Sequence, residues 1–312
     1  MGVVLLFAAP GQGAQSPGFL RPWLDVPGVA DHLAWWSAVT GLDLVRYGTT
    51  ADADEIRDTA VAQPLLVSAG LAATAALEAT PDAAAGHSVG ELVAAVISGV
   101  LSPEAALVFV RERGRAMAEA AAVTETGMTA VLGGEPAEVL AAIEKHGLTP
   151  ANLNGAGQVV AAGTMDRLAA FADEPPAQAR LRSLQVAGAF HTEHMAPAVE
   201  LLRRISAGMP VADPRATLLS NRDGAVVTTG ADFVARLVGQ VSTPVRWDSC
   251  MDSMAELGVT AIIELPPAGT LAGLARRALP DVERLALKTP DDLDKARALI
   301  TAHAGQAQED DQ

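Results

Sequence analysis

The sequence predicts an α/β protein in which a parallel sheet carries a smaller inserted domain. The apolar run at 3–9 is continuous, as expected for a strand that is covered on both faces. Further apolar runs alternate with helical patterns, which is typical of a parallel sheet with crossover helices. A stretch near the middle of the chain has a different order of elements, and that change indicates an insertion.

The first third of the chain shows the alternation of strands and helices. The strand at 3–9 ends at the loop "PGQGAQ", where proline and glycine interrupt the apolar run. Two helical patterns precede a second short apolar run, and two alanine-rich helical stretches follow it. These segments are helices at 27–40 and 63–79, a strand within 83–88, a helix from Val89 onward and a helix at 104–122.

The middle of the chain predicts six elements in the order β-α-β-β-α-β, which is the order of the split ferredoxin-like unit. We therefore expect an inserted subdomain at 127–188, and a main domain formed by 1–126 and 189–305. The polar tail at 306–312 is expected to be disordered. The six elements are strands at 128–134, 149–154, 158–163 and 179–188, and helices at 135–147 and 165–173.

The main domain is expected to resume with a helix at 191–209. Strands are predicted at 216–221 and 259–265, with helical segments between them. All of these segments lie beyond the insertion, so their strands are expected to join the sheet that begins with the strand at 3–9.

Composition and charge narrow the classes of partner. The 312 residues carry a net charge of −15, which on average repels nucleic acid and anionic membranes. There is one cysteine, so an internal disulfide is excluded, and a structural zinc site or other metal or cofactor is not expected. The apolar N-terminal run is too short for a membrane span and lacks a basic leader. We expect a buried strand there and a cytoplasmic protein.

The stretch "GHSVG" at 86–90 matches G-x-S-x-G, the pattern of a nucleophile elbow. A strand that turns abruptly into a helix leaves the central serine in a strained backbone, and glycines on either side avoid clashes. Ser88 would then project at the carboxyl end of the strand, beside main-chain N–H groups of a helix N-terminus. The alternative is a tight turn without chemistry, because glycine and serine are common in turns.

A serine nucleophile needs a proton acceptor, and two of the six histidines are candidates. His191 lies at a strand-to-helix junction, where the insertion returns to the main domain, and His194 lies one helical turn later. His87 is expected to pack beneath the elbow, since neighbouring side chains diverge at a sharp turn. The alternative for His191 is a helix-capping residue.

Eight motifs in sequence order resemble the malonyl-CoA:acyl carrier protein transacylases and the acyltransferase domains of polyketide synthases. The resemblance covers nearly the whole chain except the tail, and it implies an α/β-hydrolase-like core with a ferredoxin-like insertion. The motifs are "PGQGAQ" at 10–15, "GHSVGE" at 86–91, "RERGRAM" at 111–117, "NLNGAGQVVAAG" at 152–163, "GAFHTEHM" at 188–195, "SN" at 220–221, "GQVSTPVRW" at 239–247 and "ELPPAG" at 264–269.

The resemblance implies a role for each matching residue. Ser88 would be the acylated nucleophile, and His191 the general base that later acts as general acid. Main-chain N–H groups of Gln12 and Val89 would form the oxyanion hole. A main-chain carbonyl near Gln240, rather than an acid, would orient the histidine.

Three further residues of the resemblance concern the substrate. Arg113 would bind the free carboxylate of a malonyl group through two parallel hydrogen bonds. The alternative is a solvated arginine on one charged helix. Phe190, directly before the histidine, is expected to favour malonyl over methylmalonyl, since its ring fills the space of a 2-methyl group. Asn154 would lie at the edge of the site.

The function that the resemblance implies is ping-pong transfer of malonyl from malonyl-CoA to the phosphopantetheine thiol of acyl carrier protein. No metal is needed for this reaction, because a thioester is already activated. Carrier proteins of this kind are acidic, so docking would need a local basic rim. Candidates are Arg180 and Arg182 and the pair Arg276 and Arg277, and the alternative for all four is ordinary solvated surface. The rival functions are a serine thioesterase or esterase on the same core and a catalytically inactive scaffold protein.

Overall fold

A computed structural model describes residues 4–186 and 188–304, and the predicted disordered tail at 306–312 lies outside the described residues. The strands are β1 (Val4–Ala9), β2 (Ala83–Gly86), β3 (Thr126–Gly133), β4 (Thr149–Gly155), β5 (Gln158–Thr164), β6 (Ala179–Ser183), β7 (Thr217–Leu218), β8 (Val245–Arg246), β9 (Val259–Glu264) and β10 (Glu283–Ala286). The helices are α1 (Val29–Thr40), α2 (Leu44–Thr49), α3 (Thr59–Leu77), α4 (Glu91–Ile97), α5 (Pro103–Ala121), α6 (Pro136–Lys145), α7 (Met165–Asp173), α8 (Ala196–Ser206), α9 (Gly230–Gln240), α10 (Trp247–Glu256), α11 (Thr270–Ala278) and α12 (Leu293–Ala304).

The first sheet is parallel and has the strand order β10-β9-β1-β2-β7. The central strand β1 is buried on both faces, because Leu5, Phe7 and Ala9 pack into one apolar cluster and Leu6 and Ala8 into another. The predicted α/β fold with a parallel sheet is therefore confirmed. The carboxyl ends of β1 and β2 lie side by side, and this edge carries the loops that hold the candidate site.

The second sheet has the order β6-β3-β5-β4-β8. Its first four strands pair antiparallel with their neighbours, and α6 and α7 cover one face. The other face packs on the main core through residues such as Met128 and Ala130. The fifth strand, β8, pairs with β4 in parallel and comes from outside the predicted insertion. A two-residue strand has no periodicity, so the sequence pattern could not indicate it.

Several predicted boundaries were wrong. The strand at 216–221 is only Thr217–Leu218, the strand at 179–188 ends at Ser183, and β10 was not predicted. The helix at 191–209 begins instead at Ala196, after a short 3-10 turn. His191 has a φ of 61°, in the left-handed region, so a right-handed helix cannot begin there.

Helix α3 is by length and composition able to cross a membrane, but 78% of its most apolar window is buried inside the protein. It packs against α5 in the main core. This pairing brings Gln63 of α3 within hydrogen-bond distance of Arg113 of α5. The apolar character of α3 thus follows from its burial, and its packing sets one wall of the candidate site.

Candidate active site

The turn that follows β2 is a strained nucleophile elbow. Ser88 has a φ of 53°, and 9% of its surface is exposed. A Cβ added at Gly86 would lie 2.0 Å from the Gly90 carbonyl carbon, and one at Gly90 would lie 2.2 Å from the Ala9 oxygen. Side chains at either position are therefore excluded, and the glycine spacing is a requirement of close backbone packing.

His191 is the histidine that contacts the serine. Its Nε2 lies 2.7 Å from Ser88 Oγ, and its Nδ1 lies 2.7 Å from the carbonyl oxygen of Gln240. Since a carbonyl can only accept, Nδ1 carries the proton and Nε2 presents its lone pair to the serine hydroxyl. Burial and the nearby Arg113 charge lower the pKa of His191 to about 3, so the imidazole is a neutral proton acceptor at neutral pH.

Arg113 is fully buried beside the same serine, so the alternative of a solvated arginine is wrong. Its Nη1 donates to Gln63 Oε1 at 2.6 Å, and its Nη2 donates to Gln240 Oε1 at 2.7 Å and approaches Ser88 Oγ at 3.4 Å. Burial lowers the pKa of Arg113 to about 10, which still leaves the group charged at neutral pH. A fixed buried cation therefore lies at hydrogen-bond distance from the serine.

The loop after β1 lies directly against the elbow. A Cβ on Gly11 would lie 3.0 Å from the His87 carbonyl oxygen and 2.9 Å from His87 Nδ1, so the two backbones are in close contact. Gln12 holds the loop to the start of α3 through Nε2, which donates to Thr59 Oγ1 at 3.2 Å. Val89, on the other side, is the second residue of the short 3-10 turn Ser88–Gly90. In the first turn of a helix the main-chain N–H has no intrahelical acceptor, so that of Val89 is available to a ligand.

The two remaining predicted site residues lie around this centre. Asn154 is buried, and its Oδ1 lies 2.8 Å from His87 Nε2, so its described contact is the residue before the serine rather than the serine itself. His87 also packs against the Trp247 ring at a centroid distance of 5.7 Å. Phe190 is 5% exposed and belongs to the main apolar core, directly before His191.

Comparison with known proteins identifies the family of the chain. A family model described as the acyl transferase domain matches residues 6–303. The chain belongs to the acyl transferase domain family. A relative named malonyl CoA-acyl carrier protein transacylase, from Mycobacterium tuberculosis, is 51% identical over 298 residues, which cover 94% of this chain and 99% of the relative.

Solved structures give the same family. The crystal structure of MCAT from Mycobacterium tuberculosis has a TM-score of 0.90 at 51% identity, covering 94% of this chain and 99% of that one. A malonyl-transacylase solved in complex with a type II PKS acyl-carrier protein has a TM-score of 0.90 at 28% identity, covering 95% of this chain and 99% of that one.

In this acyl transferase domain, buried polar side chains that received no role from the sequence lie beneath the elbow. Asn221 Oδ1 accepts from the Ser88 N–H and Asn221 Nδ2 donates to the Gly86 carbonyl, both at 2.7 Å. Glu91 and Asn221 belong to motifs quoted above. Gln63 belongs to none of these motifs. A glutamine inside an apolar helix does not indicate a functional site until the helix that packs against it is known.

Proposed function

We propose that the protein transfers the malonyl group of malonyl-CoA to the phosphopantetheine thiol of acyl carrier protein through a malonyl-serine intermediate. The observation that carries this proposal is the buried guanidinium of Arg113 next to the Ser88–His191 pair. A malonyl group on Ser88 would hold its free carboxylate two bonds from the carbonyl carbon, and Arg113 lies within reach of so short a group. The relatives named malonyl CoA-acyl carrier protein transacylases support the same substrates.

In the first half of the reaction, Ser88 Oγ attacks the thioester carbonyl carbon of malonyl-CoA while its proton moves to His191 Nε2. The Gln240 carbonyl accepts from Nδ1–H throughout, so it stabilises the imidazolium that forms. The tetrahedral oxyanion would accept from the main-chain N–H groups of Gln12 and Val89. When the C–S bond breaks, the thiolate takes the proton from His191, and coenzyme A leaves as the thiol.

In the second half, the pantetheine thiol of the carrier protein is the nucleophile. His191 accepts the thiol proton as sulfur attacks the ester carbonyl of malonyl-Ser88. The C–O bond to Ser88 then breaks, and Oγ takes back the proton from His191. Each half returns the histidine to its neutral form, so the enzyme needs no other acid or base.

Arg113 gives the reaction its selectivity for an acyl group with a free carboxylate. In the structure its Nη1 and Nη2 atoms donate to amide oxygens of Gln63 and Gln240. A carboxylate carries a full charge and matches the guanidinium fork, so it is the stronger acceptor for these groups. An acetyl group offers no such partner. Phe190 is expected to disfavour a 2-methyl substituent by about 10- to 200-fold, as a single methyl allows.

The alternative of a serine thioesterase or esterase is not favoured. Such an enzyme would orient its histidine with a carboxylic acid and would need no buried cation. Here the Nδ1 partner of His191 is the main-chain carbonyl of Gln240. A buried arginine next to the nucleophile would only add a desolvation cost to an enzyme of uncharged esters.

The finer description of the fold belongs to the same proposal. We assign residues 1–126 and 189–305 to an α/β-hydrolase-like main domain and residues 127–188 to a ferredoxin-like insertion. The antiparallel strand order β6-β3-β5-β4 with two helices on one face supports the second assignment. Strand β8 belongs to the main domain and pairs with β4 of the insertion, so the second sheet contains strands from both units.

The partners follow from the reaction. They are malonyl-CoA and the phosphopantetheinylated carrier protein, and a malonyl-transacylase solved with a carrier protein supports the second. The absence of a nucleic-acid or membrane partner and the cytoplasmic location remain predictions, which the net charge of −15 and the buried free Cys250 support.

The intact mass of the protein after brief exposure to malonyl-CoA tests the proposal. We expect one added malonyl group that is stable until carrier protein is supplied and that is absent in the Ser88→Ala variant. Rapid release of free malonate without carrier protein would indicate a hydrolase. If the Ser88→Ala variant supports acyl-chain synthesis as well as wild type does, the protein is a catalytically inactive scaffold.

A further inference from the structure

Glu91 is a buried carboxylate for which the reaction just described has no use. It is the first residue of α4, one helical turn after Ser88, and only 1% of its surface is exposed. Burying an acidic side chain lowers the stability of the folded protein by several kcal/mol unless both of its oxygens are hydrogen-bonded. A residue of this kind, directly beneath the nucleophile, needs a physical explanation.

Both oxygens of Glu91 accept hydrogen bonds. Oε1 accepts from the Asn221 main-chain N–H at 2.6 Å, and Oε2 accepts from Gln240 Nε2 at 2.5 Å. Two donors and no described acceptor face the group, which is the environment of an ionised carboxylate. Burial raises the pKa of Glu91 to about 8, while the Asn221 N–H and the Arg113 charge act in the opposite direction.

The bond to Glu91 is the shortest of three, the others being to the Ser88 carbonyl and to Asn221 Oδ1, that fix which way the Gln240 amide points. An amide has a donor end and an acceptor end of nearly the same shape, so only its neighbours select the orientation. Above its pKa of about 8, Glu91 is ionised and can only accept, so it then requires the Nε2 end. The Ser88 carbonyl, at 3.1 Å from Nε2, requires the same end. The other end, Oε1, is thereby left to accept from Arg113 Nη2 at 2.7 Å.

We infer that Glu91 is a positioning residue for substrate selectivity: it orients the Gln240 amide so that Arg113 is held beside Ser88, where it selects a carboxylate-bearing acyl group. This inference rests on the proposed malonyl transfer. Glu91 itself touches neither the substrate nor the nucleophile side chain. Its hydrogen bonds reach Arg113 through one amide, and its charge also acts on Arg113 directly. The Gln240 main-chain carbonyl that orients His191 does not depend on that amide.

Replacement by glutamine separates these effects. In Glu91→Gln, the new carbonyl oxygen can still accept from the Asn221 N–H, so the Asn221 side chain continues to hold the elbow backbone. The new NH2 group then faces Gln240, which satisfies it only by turning Oε1 towards residue 91. The Gln240 NH2 group would consequently face the Arg113 guanidinium, and two sets of donors would oppose each other.

The experiment compares self-acylation of wild type and Glu91→Gln with malonyl-CoA and with acetyl-CoA, read by intact mass at pH 8.5. This pH lies above the pKa of Glu91, about 8, so the wild-type carboxyl group is mostly ionised. We expect the second-order rate for malonyl-CoA to fall by about 10- to 100-fold, as for a misplaced binding group, mainly through a higher KM. The rate for acetyl-CoA and the rate of Ser88 labelling by a fluorophosphonate should change by less than about threefold. Glu119→Gln, which removes an exposed carboxylate from α5, is the control.

A second variant keeps the inference testable if Glu91→Gln does not fold. Gln240→Met removes the amide and keeps the main-chain carbonyl, so it should lose the same selectivity. The double variant Glu91→Gln/Gln240→Met should have the same selectivity as the less selective of the two single variants, because both substitutions act on one interaction. Equal losses for malonyl-CoA and acetyl-CoA, or unchanged selectivity in Gln240→Met, would overturn the inference. A wild type that is never malonylated would instead overturn the proposed function.

Discussion

At the scale of single residues, the site combines a neutral base with a permanent cation. Burial lowers the pKa of His191, and the Arg113 charge lowers it further, because a proton on the imidazole would place two positive charges side by side away from water. The same cation attracts the anionic end of the substrate. The charge that helps burial to keep the base unprotonated thus also binds the carboxylate.

The first prediction concerns the carboxylate-binding arginine. Arg113→Ala should lower malonylation of Ser88 by about 10³-fold, since a buried charge-assisted pair is lost, while acylation by acetyl-CoA should persist. Intact mass after exposure to each thioester measures both. Arg115→Ala, an exposed position on the same helix, is the control and should behave as wild type. Undiminished malonylation of Arg113→Ala would show that another group binds the carboxylate.

The second prediction concerns pH. A lowered pKa means that His191 remains neutral as the pH falls through 6.5, the usual value, and takes up a proton only near 3. The rate of Ser88 labelling by a neutral fluorophosphonate should therefore stay level from pH 8 down to pH 5. A decline with a midpoint near 6.5 would contradict the buried, neutral imidazole.

At the scale of elements, the elbow depends on two backbones that approach each other without side chains. Ser88 and His191 both have positive φ, and such strain persists only where surrounding packing holds it. The glycines at 86 and 90 allow β2, the 3-10 turn and the end of β1 to come together.

The third prediction tests this packing. Gly90→Ala should destabilise the protein by about 3 kcal/mol or more, because its Cβ would meet the Ala9 oxygen at 2.2 Å and neither backbone can move freely. Gly273→Ala in α11 meets nothing within 4 Å and should stabilise by about 0.5–1 kcal/mol through helix propensity. Thermal unfolding of the two variants measures the contrast. A Gly90→Ala variant as stable as wild type would show that the elbow can relax.

The sequence indicated those elements and residues whose physical signal is local. The apolar run of β1 and the spacing of the glycines around Ser88 are patterns that lie within a few consecutive residues, so the sequence alone shows them. The extents of β7 and β8 depend on pairing with distant strands, so no local pattern defines them. Gln63 and Asn221 depend in the same way on tertiary packing, since a single buried amide means nothing until the groups it bonds are known.

At the scale of the whole molecule, the net charge of −15 raises the question of how an acidic protein receives an acidic carrier. Arg180 and Arg182 offer an answer. Both are exposed on the edge strand β6, and the register pairs Arg182 with Ala130, which packs into the main core. They therefore lie on the face of the second sheet that is turned towards the main domain, as a basic rim would.

The last prediction follows from this placement. Reversing both charges, in Arg180→Glu/Arg182→Glu, should slow malonyl transfer to carrier protein by about tenfold or more at low salt, because electrostatic steering acts on the association rate. Self-acylation by malonyl-CoA should be unchanged, since neither residue contacts the described site.

Arg203→Glu/Arg204→Glu on α8 changes the net charge by the same amount at another exposed place and is the matched control. The difference between the two variants should shrink as salt rises, because screening weakens exposed charges first. Equal slowing by both variants would mean that total charge, and not this rim, governs the encounter.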